Sequence, residues 1–166
     1  MSDSEELFDV VDENNDVIDV KPRSEVHRLG LRHRAVHIFV FRPDGRILIH
    51  LRTASKVEFP SVWTSSASGH VASGEDSDEC AVRELHEELG VEAKLRFCFE
   101  VEACPDTCME FTRLYQTESE AVIDPDPVEI ADVEWLTIQE LDRRLVERPE
   151  QFSPAFRLLF AKFRAM

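Results

Sequence analysis

The chain has 166 residues, 43% of them apolar, enough for one domain with a proper core and too apolar for a disordered chain. Nineteen Lys and Arg against 34 Asp and Glu leave a net charge of −15, which argues against non-specific binding to nucleic-acid polymers or to an anionic membrane surface. No apolar run approaches the roughly 18 residues of a membrane-spanning helix, and the acidic start "MSDSEELFDVV" lacks a charged-then-apolar signal pattern, so a cytoplasmic protein is the expectation.

"LFDVVDENNDVIDV" reads as a hairpin, with "ENND" turning between two alternating apolar runs. "KPRSEVHRLGL" reads as a loop, so residues 1–33 form a hairpin-and-loop extension. "RAVHIFVFRPDGRILIHLR" predicts two strands around a "PDG" turn, and the nearly continuous apolar run of the first makes it a central strand. "TASKVEFPSVWTSSASGHV" reads as a loop plus a short strand, with Phe59 and Trp63 packing the sheet edge. A helix follows, capped by Asp76 or Ser77 and ended by Gly90. "AKLRFCFEVEA", "EFTRLYQTES" and "VEIADVEWLT" are strands. Residues 137–166 form two C-terminal helices, the first capped by Thr137 and stopped before Pro149, the second capped by Ser153 with Pro154 at its first position. This mixture predicts an α/β sandwich on a mixed sheet. The four cysteines, Cys80, Cys98, Cys104 and Cys108, form no C-x-x-C pair, so they read as reduced thiols rather than a zinc site.

The stretch "GHVASGEDSDECAVRELHEELGV", Gly69 to Val91, gathers seven carboxylates around one arginine. On a wheel of about 100° per residue, Ala81, Val82 and Leu89 cluster about Leu85 as a buried stripe. Glu84, Glu87 and Glu88 share an arc beside that stripe and are i, i+3 and i+4 partners, so their head groups can converge. Arg83 points elsewhere on the wheel and is positioned to pair with Glu75. A solvated acidic face is the plain alternative. Two features favour a ligand site instead: the carboxylates border the buried stripe, and the small-residue loop before them permits close approach. Hard oxygen ligands in a cluster suit Mg²⁺ or Mn²⁺. Such ions would cancel the repulsion and draw phosphate oxygens to an acidic protein.

The same stretch resembles the signature of the Nudix hydrolases, G-x5-E-x7-R-E-U-x-E-E-x-G-U, with Gly69, Glu75, Arg83, Glu84, Leu85, Glu87, Glu88, Gly90 and Val91 at its fixed positions. The resemblance implies an α/β/α sandwich around a mixed sheet. It also implies hydrolysis of a diphosphate linkage in a nucleoside diphosphate derivative or related organic pyrophosphate, by water attack at phosphorus. Glu84, Glu87, Glu88 and the carbonyl of Gly69 would hold Mg²⁺ or Mn²⁺, Glu75 would pair with Arg83, and Glu87 and Glu88 would act in catalysis.

A second resemblance, to isopentenyl-diphosphate isomerase, runs through "HRLGLRHRAVHIFVFRPDGRILIHLRTASKVEFPSVWTSSASGHV" and "FSPAF". It implies a role in a second metal site or in substrate binding for His33 and His70, with His27 a weaker candidate. His37, within a strand, reads as structural. Glu110 stands near the distal catalytic glutamate of the isomerase, as general base or further metal ligand; Glu118, Glu120 and Glu129 compete for that place. Two departures separate the chain from the isomerase: Ser68 replaces its cysteine, and Cys108 its second glutamate. A hydroxyl is a poor replacement for a thiol in proton transfer to carbon. Hydrolysis is therefore the first expectation, with isomerase-like proton transfer and a non-catalytic nucleotide-binding module as alternatives. The expected partner is a small-molecule diphosphate, and a homodimer is left open.

Overall fold

The computed structural model describes residues 5–166; the first four residues of the acidic start lie outside the described region. The N-terminal hairpin pairs β1 (Leu7–Val11) with β2 (Val17–Pro22). Asp12 closes the turn by accepting from the amides of Asn14 and Asp16 at 2.9 and 3.0 Å, while Asn15 takes the left-handed conformation, φ 65°, that Asn tolerates better than most residues. The next segment corrects the loop reading: α1 spans Arg23–Leu29 and ends at Gly30, φ 63°. Its seven residues bury only Val26, too few for an apolar stripe to show in the sequence.

The large sheet is built on β3 (His33–Phe41). β8 (Glu110–Glu118) runs parallel along the full length of one of its edges, and β7 (Arg96–Val101) pairs antiparallel beyond it. On the other edge, β4 (Ile47–Arg52) leaves the "PDG" turn and pairs with β3 only at Phe41 and Ile47. The two strands then splay, and the chain from Trp63 to His70 enters the gap. There β5 (Trp63–Thr64) pairs with β4, and β6 (Ala67–His70) pairs with β3. At the crossing the Ser66 hydroxyl accepts from the Val40 amide at 2.8 Å and donates to the Leu48 carbonyl at 2.6 Å, so one side chain satisfies two buried backbone groups that the splay would orphan. β9 (Ile130–Leu136) completes the sheet on the far edge of β4.

Helix α2 (Ser77–Leu89) covers one face, over Val36, Ile38, Val40, Leu48 and Ala67. Helices α3 (Ile138–Glu147) and α4 (Pro154–Arg164) accompany the other, where Phe39, Ile47, Ile49, Phe156 and Phe160 are buried together. The fold is thus an α/β/α sandwich on a mixed sheet. Asp76 caps α2, and Thr137 and Ser153 cap α3 and α4.

Two packing expectations need correction. Val82 is half exposed, and the buried residues of α2 are Cys80, Ala81, Leu85, Glu88 and Leu89. The helix is rotated toward its glutamates because β6 packs against that flank. Trp63 joins the core below α4, but Phe59 does not pack the sheet edge: it stands exposed at a cavity rim with φ 47°.

Candidate active site

Strand alternation sends His33, Ala35 and His37 to one face of β3. Register then sets Glu110 of β8 beside His33, His70 of β6 beside Ala35, and Ser68 beside His37. Paired residues share a face, so side chains from positions 33, 37, 68, 70 and 110 meet on one surface. α1 adds His27 from its last turn. Ligand atoms of His27, His33, His70 and Glu110 all lie within 4.8 Å of one another.

The hydrogen bonds around this cluster fix its chemistry. Glu110 Oε2 is 2.8 Å from His70 Nε2 and 3.2 Å from His33 Nε2. Burial raises the Glu110 pKa, but the charge and hydrogen bond of His70, with His33 close beside it, prevail and hold the carboxyl well below the usual carboxylate range. His33 Nδ1 lies 2.8 Å from the Leu31 carbonyl, and His27 Nδ1 lies 2.9 Å from Glu58 Oε1. A carbonyl and a carboxylate only accept, so each Nδ1 donates and each Nε2 is turned into the cluster. Hydrogen bonding with His27 holds Glu58 down at about 2. Both Nε2 atoms are buried without a hydrogen-bond partner. Buried nitrogens oriented from behind by oxygen acceptors are a candidate donor set for a metal ion.

The second cluster lies across β6. Gly69 turns toward α2, where Glu84 Cδ is so close that a Cβ on residue 69 would stand 2.2 Å from it. Glu88 is 7% exposed, and its Oε1 accepts from the Ser68 amide at 2.8 Å. Burial pushes Glu88 up to about 8 and Glu84 up to about 7. Glu87 is half exposed. Arg83 does pair with Glu75, through Nε to Oε2 at 2.8 Å and Nη2 to Oε1 at 3.1 Å. It does not point away from the acidic arc, however: Nη1 also reaches Glu84 at 2.9 Å and Glu87 at 3.0 Å. A guanidinium has enough donors for all three carboxylates. Glu84 and Glu88 therefore form a buried shelf, with Glu87 at its solvent-exposed edge.

Both clusters open on one cavity of about 1180 Å³. Arg23, Arg28, Arg52, Lys56 and Arg83 line it among nine carboxylates, so an anion entering this acidic chain would meet basic side chains but needs a cation on the carboxylates as well. Arg52 is tied down by donating to the carbonyls of Glu58 and Phe59, and Lys56 is paired with Glu129. Glu120 lines a separate shallow depression beside Arg42 and Trp135, and Glu118 ends β8 at the far end from Glu110. Of the competing glutamates only Glu129 reaches the cavity. The four cysteines are free thiols, and among the described residues the metal-capable cluster includes none of them.

Sequence reading missed Arg52, Lys56 and Glu58 and underweighted His27. The signal for the two cations was their place just after an apolar strand, before "FP". Glu58 had none, because its partner lies 31 positions away in the chain.

Comparison with known proteins gives a consistent result. A family model described as the NUDIX domain matches residues 31–156. An uncharacterised Nudix hydrolase of Streptomyces coelicolor is 34% identical over 99% of this chain and 92% of its own. An isopentenyl-diphosphate Delta-isomerase of Cereibacter sphaeroides is also 34% identical, over 83% of this chain and 82% of its own. Among solved structures, the DR0079 protein of Deinococcus radiodurans superposes with a TM-score of 0.77 at 31% identity, covering 86% of this chain and 90% of that one. The NUDIX domain of Shewanella oneidensis NrtR, solved with ADP ribose, shares the fold at a TM-score of 0.63 and 15% identity, covering 87% of this chain and 98% of that one.

Proposed function

This chain belongs to the Nudix family and is a pyrophosphohydrolase, and from that premise we propose that it cleaves the diphosphate linkage of a nucleoside diphosphate derivative or related organic pyrophosphate with Mg²⁺ or Mn²⁺. Glu84, Glu87, Glu88 and the Gly69 carbonyl hold the ion. When bound, it offsets anhydride charge and supplies the Lewis acid for water attack at phosphorus. Arg52 and Lys56 take the diphosphate oxygens. Arg83 balances the shelf's charge and fixes Glu75. His27, His33, His70 and Glu110 form a second cation site on the same cavity, with Glu110 as its ionised ligand. The partner is a small-molecule diphosphate in the cytoplasm, handled by one domain over 1–166.

The observation that carries this reading is the buried pair Glu84 and Glu88 beside a glycine whose added Cβ would collide with Glu84, on a cavity that also holds Arg52 and Lys56. Two buried carboxylates are costly unless a cation meets them. An isomerase reading has the histidine cluster in its favour and Ser68 against it. The Cys108 thiol, pushed up to about 12 chiefly by burial, is no substitute for a reactive cysteine.

A panel of nucleoside di- and triphosphates, nucleotide sugars and dinucleotides, assayed with Mg²⁺ and with Mn²⁺, tests the proposal. Turnover that is lost in a folded Glu88→Gln protein is the expected result. Failure to hydrolyse any member, or deuterium exchange into a prenyl diphosphate that stays intact, would overturn it.

A further inference from the structure

The cavity is also lined by His37, which has no part in either ligand cluster. His37 is 6% exposed, on the same face of β3 as His33 and Ala35, two positions beyond Ala35. Its Nδ1 is 2.7 Å from the hydroxyl of Ser65, itself fully buried. Its Nε2 makes no hydrogen bond among the described residues, yet it is absent from the fully buried orphans, so it opens onto the cavity that His37 lines. Burial lowers the imidazole to about 4, so the ring is neutral at ordinary pH and presents one donor or acceptor. The surroundings are polar as well. Thr64, next to Ser65 in the chain, is 2.9 Å from the Ser153 hydroxyl, and both residues line the same cavity. Ala35 and Ala155 contribute only methyl groups there.

We propose that the wall formed by His37, Thr64 and Ser153 is a polar subsite in which His37 Nε2 hydrogen-bonds the group carried by the diphosphate, making His37 a specificity-determining residue. The inference rests on the diphosphate reading for where the anionic end sits. A hydrocarbon chain placed here would leave the ring nitrogen dry and unpaired, a loss that a site built for hydrogen bonding turns into discrimination. The favoured substrates therefore carry a neutral hydrogen-bonding group, such as a ribose hydroxyl or a base edge, rather than a prenyl tail.

Equilibrium binding to the whole chain tests this without need of turnover. The probes are α,β-methylene-ADP and the isopentyl ester of methylenediphosphonate, titrated calorimetrically with Mg²⁺ present. Wild type is expected to bind the nucleotide at least about tenfold more tightly than the alkyl probe. His37→Leu should lose about tenfold on the nucleotide and less than about twofold on the alkyl probe, with His37→Gln between. Ser65→Ala leaves the residues that line the cavity in place and frees the ring, so it should weaken the nucleotide in the same sense; melting curves of the His37 variants themselves guard against a folding defect. Equal losses on both probes, no loss on either, or a wild-type preference for the alkyl probe would each overturn the inference. Binding as expected with no diphosphate cleaved would sink only the hydrolase reading. Hydrolysis with no discrimination at position 37 would sink only this one.

Discussion

Replacing Gly69 with Ala tests the acidic shelf at its tightest point. The new Cβ would meet Glu84 at 2.2 Å from Cδ, 2.4 Å from Oε1 and 2.6 Å from Cγ, so the carboxylate has to retreat by about 1.2 Å to reach an ordinary 3.4 Å contact. Those atoms form the far end of a flexible side chain. The backbone need not move, and the stability cost should be no more than about 1 kcal/mol, the low end of overpacking. The function should suffer far more, because a displacement of about 1 Å in a positioned group costs on the order of a hundredfold in rate. The assays are thermal melting, Mn²⁺ titration followed by electron paramagnetic resonance, and kcat on the best substrate of the panel. The expected pattern is a near-native melt with Mn²⁺ affinity at least about tenfold weaker and turnover down roughly a hundredfold. Native metal affinity and native kcat in the variant would refute the reasoning, since Glu84 would then have been displaced without consequence.

The pH dependence of the metal-free protein follows from Glu88 and Glu84, raised from 4.5 to about 8 and about 7. Between the ordinary and the raised values the folded state holds protons that the unfolded state has released, so stability falls as pH rises through that window. For Glu88 alone the loss at pH 7 is about 3 kcal/mol. Melting in EDTA from pH 5 to pH 8 should show it, and Glu88→Gln should flatten the slope; parallel profiles would count against a buried charge at position 88. Glu58→Gln should weaken metal binding at the histidine cluster by roughly 10–100-fold through loss of the carboxylate behind His27, read by the stoichiometry of bound metal after dialysis. Lys56→Met should raise KM by about tenfold with kcat little changed, the mark of lost uniform binding, and steady-state kinetics would reveal any other split.

The parts of the fold that were legible are those with local causes. Helix α2 announced itself through Asp76, the acidic first turn and Gly90, and α4 through Ser153 and Pro154. The fixed spacing of Glu84, Glu87 and Glu88 sufficed for a shared arc. The illegible parts have distant causes. α1 is too short to show a period, and Val82 turned outward because β6, remote on any helical wheel, claimed the opposite flank. The histidine cluster joins residues 27, 33, 70 and 110 through the registers of β3 with β6 and β8. No spacing rule on one strand reveals such a meeting. Arg83 looked detached from the glutamates because a wheel records the direction of a Cβ and not the reach of a guanidinium. His37 read as structural, and its Ser65 bond agrees with that reading.

Strand β6 is four residues long and carries consecutive donors to opposite sides, Gly69 toward Glu84 and His70 toward Glu110. A shift by a single position would exchange them, driving an imidazole into a slot that admits a methyl only by displacing Glu84 and presenting a bare glycine to His27, His33 and Glu110. Two bolts prevent that slip, the Ser66 hydroxyl at one end and the Glu88 clasp on the Ser68 amide near the other. The count of residues from Ser66 to His70 is fixed: one added or lost residue would misalign both ligand sets at once.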